Sequence, residues 1–345
     1  MSNPLLSIAI PAYDRPSELL HGLERFVQQI ESRFDEEIEI RVSDDCSPND
    51  SLAEVRELCE GHSFLHFRRY EENIGLERNL IQCTEECCGE YLWIFGDDDF
   101  LEKADALETI VDHLKTGEVD VVVLNRTRRD YSLDRLLCDN WMNLDNSSVR
   151  QFSGLAELCL AFGFISVIGF VSVNVFRREP FSKIDFGHYW GTMYPQLGGM
   201  LEAFHKRPVR LLGSPVVCHR TQTAEEKKAA LGNKRQEADF MMDIDRRNAI
   251  YFSHPYVRML SALMDLGAFQ PEEIVEIREN TVIDGALVDF LIHTVGLSHK
   301  MGLCHEPAAW ERTMAFFDRL PLSSQQHELL NGVAYEAQKA RSCGI

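Results

Sequence analysis

Three adjacent carboxylates, Asp97-Asp98-Asp99, follow the apolar stretch Tyr91–Phe95, and an acidic pair, Asp44-Asp45, follows the alternating Ile38, Ile40 and Val42. Neighbouring carboxylates raise each other's pKa unless a cation compensates. Hard oxygen ligands of this kind suit Mg²⁺ or Mn²⁺, which keep several waters and take substrate phosphates as further ligands. An ion held there neutralises the charge that develops as a diphosphate leaves. Aspartates also cap helices well, so the position of the cluster has to decide between the two roles.

That position follows from the elements around it. Leu5–Pro11 is a continuous apolar run, as expected of a strand covered on both faces. A helix opens at Pro16 and carries Leu19, Leu20, Leu23, Phe26, Val27 and Ile30 at helical spacing. Strands over Ile38–Val42, Phe64–Tyr70, Tyr91–Phe95 and Val119–Leu124 then alternate with helices over Leu52–Cys59, Leu76–Cys87 and Leu107–Leu114. This alternation predicts βαβ units on a mostly parallel sheet. Ligands of such sheets bind beyond the carboxyl ends of the strands. Three of those ends, Pro11–Arg15, Ser43–Ser47 and Gly96–Asp99, share one edge, and two are acidic. That favours the metal and diphosphate role. Neither a G-x-G-x-x-G nor a G-x-x-x-x-G-K-[ST] loop occurs, which removes a dinucleotide fold and a P-loop.

The order Ser7–Pro16 (S-I-A-I-P-A-Y-D-R-P), Val42–Ser47 (V-S-D-D-C-S), Asn73–Asn79 (N-I-G-L-E-R-N) and Gly89–Asp99 (G-E-Y-L-W-I-F-G-D-D-D) resembles the family-2 glycosyltransferases of GT-A fold. The G-D-D-D form is similar to the branch containing abequosyltransferase-like enzymes of O-antigen synthesis. The resemblance covers Leu5 to about Asn125, extends weakly through Phe170–Arg220, and leaves Thr221–Ile345 without a matching motif. It implies a nucleoside-diphosphate sugar donor, a glycan or lipid-linked glycan acceptor, and Mn²⁺ or Mg²⁺ as cofactor. Pro11, Ala12, Tyr13 and Asp14 would line the nucleotide pocket. Asp45 would bond the base, while Asp44 orients the turn or only shapes it as an Asx-turn. Asn73, Gly75, Arg78 and Asn79 resemble the segment that closes over the donor, with Arg78 on phosphate and Gly75 allowing close backbone approach.

The family's commonest acidic motif is D-x-D-D, and its first place is here Gly96. The resemblance therefore shifts the roles: Asp97 to the ribose and Asp98 to the metal, with Asp99 supporting both as a further ligand. His219-Arg220 is expected to follow an apolar strand over Pro215–Cys218, and His219 resembles a late histidine near the metal. The base is expected beyond the strand Phe170–Arg177, which selects Asp185 and His188. Tyr189, Trp190 and Tyr194 in the same segment suit either a sugar face or the core.

The rest of the chain bounds these readings. A length of 345 residues is about two domains' worth; the division expected is a GT-A domain over 1–221 (nucleotide-sugar half 1–125, acceptor half 126–221) and a helical region over 222–345. A formal charge of −20, without segregated basic residues, excludes a general nucleic-acid binder. The ten cysteines form no C-x-x-C pair. With no signal peptide at Met1–Pro11, they read as reduced thiols of a protein in the cytosol or peripheral at the inner face of the membrane. The apolar Leu158–Phe176 reads as a short helix (Ser153–Ala161) running into a buried strand (Ile165–Phe176) rather than a membrane span. Thr221–Lys234 is expected to be a polar lid or linker. Beyond it, apolar positions at helical spacing broken by Pro255, Pro271, Pro307 and Pro321 predict a small helical bundle. Two alternatives stand beside the transferase: a nucleotidyltransferase, which would carry a glycine-rich loop after its first strand, and a non-catalytic nucleotide-sugar-binding protein on the same fold.

Overall fold

The computed structural model describes residues 3–31, 33–165, 167–221, 244–279, 285–303 and 307–342. The chain divides into two compact units. The first holds Met1–Leu155, Val167–Ile184 and Lys206–Thr221; the second holds Ala156–Ser166, Asp185–His205 and Gln222–Ile345. Two segments of the 126–221 range thus belong with the C-terminal helices.

In the first unit, β1 (Leu6–Ala12), β2 (Ile38–Asp44), β3 (Leu65–Arg69), β4 (Tyr91–Ile94), β5 (Phe100–Leu101), β6 (Val121–Asp130), β7 (Leu136–Cys138), β8 (Val149–Phe152), β9 (Asn174–Arg177) and β10 (Val209–Thr221) form one sheet. Its main path runs β3-β2-β1-β4-β9-β6-β10-β5. Strands β3, β2, β1 and β4 are mutually parallel, as are β6 and β10, while β9 runs antiparallel between β4 and β6. Every residue of β1 is buried, which explains its unbroken apolar run. Helices α1 (Pro16–Ile30), α2 (Ala53–Glu60), α3 (Leu76–Glu85) and α4 (Ala106–Lys115) follow the strands as their periodicity predicts. The buried stripe of α1, Leu19, Leu23, Phe26 and Ile30, seats Phe26 edge-on against Trp93 and Phe95.

Two expectations need correction. The strand expected over Ile165–Phe176 is only β9. Asn174 Nδ2 donates to the carbonyls of Ile168 and Phe170, at 2.9 and 3.0 Å, and this local bonding bends the preceding residues into turns. Conversely, His219 and Arg220 do not follow a strand but lie within β10, whose pairing with β6 continues to Thr221 opposite Asp130.

The short α6 (Arg178–Phe181) completes the first unit. The second contains α5 (Leu155–Phe162), whose first residue belongs to the first unit, α7 (Pro195–Phe204), α8 (Ile244–Tyr251), α9 (His254–Asp265), α10 (Pro271–Glu276), α11 (Leu287–Lys300), α12 (Pro307–Asp318) and α13 (Ser324–Ser342). Prolines open α9 and α10, where a missing N–H costs nothing. Residues 222–234 of the expected linker lie outside the described residues. Among the described residues, no helix is long and apolar enough to cross a membrane.

Candidate active site

The carboxyl ends of β1, β2 and β4 meet as the alternation requires. Asp45 N–H donates to the Ala12 carbonyl at 2.9 Å, and Tyr13 N–H donates to Asp97 Oδ2 at 3.1 Å. Between them opens a cavity of about 260 Å³, lined by Pro11, Ala12, Tyr13, Arg15, Asp45, Asn73, Leu76, Asn79 and Asp97. Seven of these nine are nucleotide-pocket residues expected from sequence; Arg15 and Leu76 are not. Tyr13 and Leu76 are large apolar side chains left 48% and 63% exposed, so this cavity presents apolar faces to a planar ring. A larger cavity, about 640 Å³, lies at the opposite edge, beside Leu5 and Glu90 at the amino ends of β1 and β4. Its Arg177 and Arg207 are already engaged by Asp120, and the strand-end rule places ligands at the other edge.

Both members of the acidic pair are buried, and it is their partners that separate them. Asp44 is fully buried: Oδ1 accepts from Ser47 N–H at 2.9 Å, and Oδ2 from Arg69 at 2.6 Å. Its side chain therefore organises the turn and does not face the cavity, which corrects its place among the binding residues. Asp45 lines the cavity and clamps the segment after β3, Oδ1 accepting from Ile74 N–H at 2.7 Å and Oδ2 from Gly75 N–H at 3.0 Å. Asn73 Nδ2 returns a bond to the Asp45 carbonyl, and Asn79 Nδ2 bonds the Ser43 carbonyl, both at 3.0 Å. Gly75 has φ +86 and nothing within 4 Å of an added Cβ. Its backbone angle, not a close approach, calls for glycine there. Arg78 is exposed on α3, lines no part of this cavity, and makes no ion pair among the described residues. Asp14, at φ 53, donates its N–H to Ser47 Oγ at 2.9 Å and shapes the loop beside the cavity.

The three aspartates occupy three different environments. Asp97, 8% exposed, faces the cavity; burial pushes its carboxyl up while the Arg15 charge opposes that shift. Asp98 is the most open, with its side chain 30% exposed. Asp99 points inward and accepts from Ser172 Oγ. Burial first, and then the Asp98 charge, hold its carboxyl well above the usual range. Ser172 is itself fixed, because Trp93 Nε1 donates to its carbonyl at 2.8 Å and Gly96 N–H donates to its hydroxyl at 2.9 Å. The same packing explains Gly96. A Cβ there would lie 2.9 Å from Asp99 Oδ2 and 3.3 Å from Ser172 Oγ, so this loop has no room for the acid the family usually places first.

Among the described residues, no three of His, Cys, Asp and Glu come together as a metal cage. Asp98, Asp99 and His219 are therefore not one ligand set: Asp99 is turned toward Ser172, and the His219 ring packs 4.4 Å from that of Phe170. The cation that Asp97 and Asp98 do share is Arg15, whose Nη1 lies 2.7 and 3.1 Å from their oxygens. Two carboxylates converging on one positive centre at the cavity mouth are a donor set that fits a divalent ion. Behind them Arg126, 4% exposed, is held between Trp141 and Phe170, 4.4 Å from each ring centroid. Burial lowers its guanidinium to about 9 against the opposing charge of Asp99. Sequence reading missed Arg15, although it stands inside a quoted motif as a cation at a strand end facing acids. For Ser172 and Arg126 the sequence carries no local signal.

Asp185 and His188 lie in the second unit. Asp185 Oδ1 accepts from Gly187 N–H at 2.9 Å, capping a short turn, and His188 Nε2 is 3.8 Å from Asp185 Oδ2. Both side chains are largely exposed. Tyr189 is core: it is fully buried, bonds Glu202 through its hydroxyl at 2.8 Å, and leaves no room for a side chain at Gly198.

A family model described as glycosyl transferase family 2 matches residues 7–181. Abequosyltransferase RfbV of Salmonella typhimurium is 27% identical over 260 residues, covering 72% of this chain and 75% of that protein. A crystal structure of S. aureus TarS 1–349 superposes with a TM-score of 0.51 at 13% identity, over 90% of this chain and 88% of that one. A second, in complex with UDP-GlcNAc, also gives 0.51, at 12% identity. These structures share the GT-A fold.

Proposed function

From the premise that the chain belongs to glycosyl transferase family 2 and is a glycosyltransferase using a nucleotide-sugar donor, we propose a metal-dependent enzyme of surface polysaccharide synthesis. Its acceptor is a glycan or lipid-linked glycan, met in the cytosol or at the inner face of the membrane. The family membership removes the nucleotidyltransferase alternative. One observation carries the metal reading: Asp97 and Asp98 converge on a single cation, the Arg15 guanidinium, at the mouth of the cavity that Tyr13, Asp45 and Leu76 line.

The base stacks between Tyr13 and Leu76, and Asp45 keeps a lone pair on each oxygen for a base N–H while it clamps Ile74 and Gly75. Asp97 takes the ribose. Asp98 holds Mn²⁺ or Mg²⁺, which when bound neutralises the departing diphosphate. Asp99 is a positioning residue that ties the acidic turn to Ser172. The acceptor hydroxyl gives its proton to Asp185 or His188.

Calorimetry with UDP, GDP, CDP and dTDP, with Mn²⁺ and in EDTA, tests the reading. The cognate diphosphate should bind with Mn²⁺ and weaken at least about tenfold, roughly 1.4 kcal/mol, in chelator. Equal affinity in EDTA overturns the metal role, and no binding of any of the four overturns the donor pocket.

A further inference from the structure

Strand β6 runs in the direction of β4, with β9 antiparallel between them, so its carboxyl end leaves the sheet on the edge that holds the acidic turn. Two arginines stand there, Arg126 and Arg128, two residues apart and so on one face of the strand. Both reach the same ring: their guanidinium carbons lie 4.4 and 5.1 Å from the Trp141 centroid. Arg126 also lies 4.4 Å from the Phe170 centroid, which gives it a second aromatic neighbour.

What these cations lack is an acid. Among the described residues neither makes an ion pair. Arg126 Nε and Nη1 are buried without a hydrogen-bond partner, and Arg128 Nε donates to the Thr221 hydroxyl at 3.4 Å. The acid whose charge acts on Arg126 is Asp99, but its Oδ2 accepts from Ser172. Burial lowers the pKa of both guanidiniums, and on Arg126 the Arg128 charge adds to that while Asp99 opposes it. Two like charges on one ring, one of them buried, are unfavourable until an anion joins them. Arginine forks match phosphate and carboxylate oxygens. Trp141 and Phe170 are half-buried and offer faces on which a sugar ring can pack.

Sheet order separates this face from the donor pocket. Tyr13 follows β1 and Asp45 follows β2, on one side of the acidic turn that follows β4, whereas β6 lies on the other side, beyond β9. With the donor's base and diphosphate on the first side, a group at Arg126 and Arg128 belongs to the acceptor.

We propose that Arg126 and Arg128 form an anion subsite for the acceptor, which carries a phosphate or a carboxylate on a sugar. The inference rests on the donor reading above, which fixes the side from which the acceptor approaches.

Calorimetry of the full chain in EDTA, with glucose 6-phosphate, glucuronate and glucose, tests this. At least one of the two charged sugars should bind at millimolar concentration, and glucose at least about tenfold more weakly. That binding should weaken at least about tenfold in Arg126→Gln and in Arg128→Gln, and less in Arg128→Lys, which keeps the charge. The charged sugar that binds more tightly names the anionic group; equal affinities mean that the site reads charge alone. Nucleoside-diphosphate binding with Mn²⁺ should be unchanged in Arg128→Gln, whereas Tyr13→Ala should weaken it and leave the sugar titrations as in wild type. Neither metal nor nucleotide enters the sugar titrations, so their failure is distinct from failure of the donor pocket. The proposal is overturned if neither charged sugar binds, if glucose binds as tightly, or if full affinity survives in Arg128→Gln. It is overturned too if that variant loses nucleoside-diphosphate binding in the same proportion, since the cations would then serve the donor. Melting curves accompany each variant. Should the buried Arg126→Gln fail to fold, wild-type affinity in whichever Arg128 variant folds overturns the proposal.

Discussion

Arg15 Nη1 lies 2.7 Å from Asp97 Oδ1 and 3.1 Å from Asp98 Oδ2, so one guanidinium holds two of three adjacent acids. Burial disfavours its charge, but Asp97 and Asp98 more than offset that and hold its pKa above the ordinary arginine value. A divalent ion bound at Asp98, as proposed, would have to displace this contact.

Arg15→Gln should therefore bind Mn²⁺ more tightly in the absence of nucleotide, by about threefold or more, because the ion no longer competes with a resident cation. The thermal shift caused by Mn²⁺ should grow accordingly. An identical shift in variant and wild type would mean that ion and guanidinium use different carboxylates.

Asp99 supplies a pH prediction. Its carboxyl is raised by burial and by Asp98, with Ser172 and Arg126 pulling the other way. For an acid raised on folding, the folded state holds a proton that the unfolded state releases. Stability is thus lost as pH rises above the ordinary aspartate value of about 3.9. Asp99→Asn removes that loss, so its melting temperature at pH 7 should exceed wild type by about 2–4 °C, with the gap closing toward pH 4. Asp98→Asn should keep the fold and lose turnover. A lower melting temperature for Asp99→Asn at pH 7 would contradict the assignment.

His254 works with the opposite sign. Burial, then the charges of His299 and Arg312, lower its pKa to about 4, and its Nδ1 lies 2.6 Å from Thr313 Oγ1. A histidine depressed on folding contributes stability that is present above about pH 6.5 and lost as pH falls toward 4, on the order of 3 kcal/mol at most. His254→Gln should flatten the melting-temperature profile between pH 7 and 5. A slope equal to wild type places the acid sensitivity elsewhere.

The base can be read from kinetics. Asp185 Oδ1 caps Gly187 N–H, and asparagine keeps that acceptor, so Asp185→Asn tests the charge alone. Turnover should fall at least about a hundredfold in this variant. The same loss in His188→Gln, with Asp185→Asn near normal, would move the role to His188. Near-normal turnover in both variants would remove the segment from the chemistry.

The sequence by itself determined the parallel half of the sheet and the edge on which its acids stand. Period-2 and period-3.6 patterns are local, and a right-handed βαβ path has to bring strand carboxyl ends to one side. Seven of the nine residues that line the cavity at that edge were expected from that rule together with the family motifs. What adjacent residues do with their side chains is a separate matter. Asp44 and Asp45, neighbours in sequence, point to opposite partners, one spent on Ser47 and Arg69 and the other lining the cavity. Asp97, Asp98 and Asp99 look equivalent as letters. Only Ser172, 73 residues further on, and the narrow space at Gly96 turn Asp99 inward and leave Asp98 open. The tertiary structure decided these roles because burial, and with it the energy of a charge, depends on what packs behind a residue and not on what stands beside it in the chain.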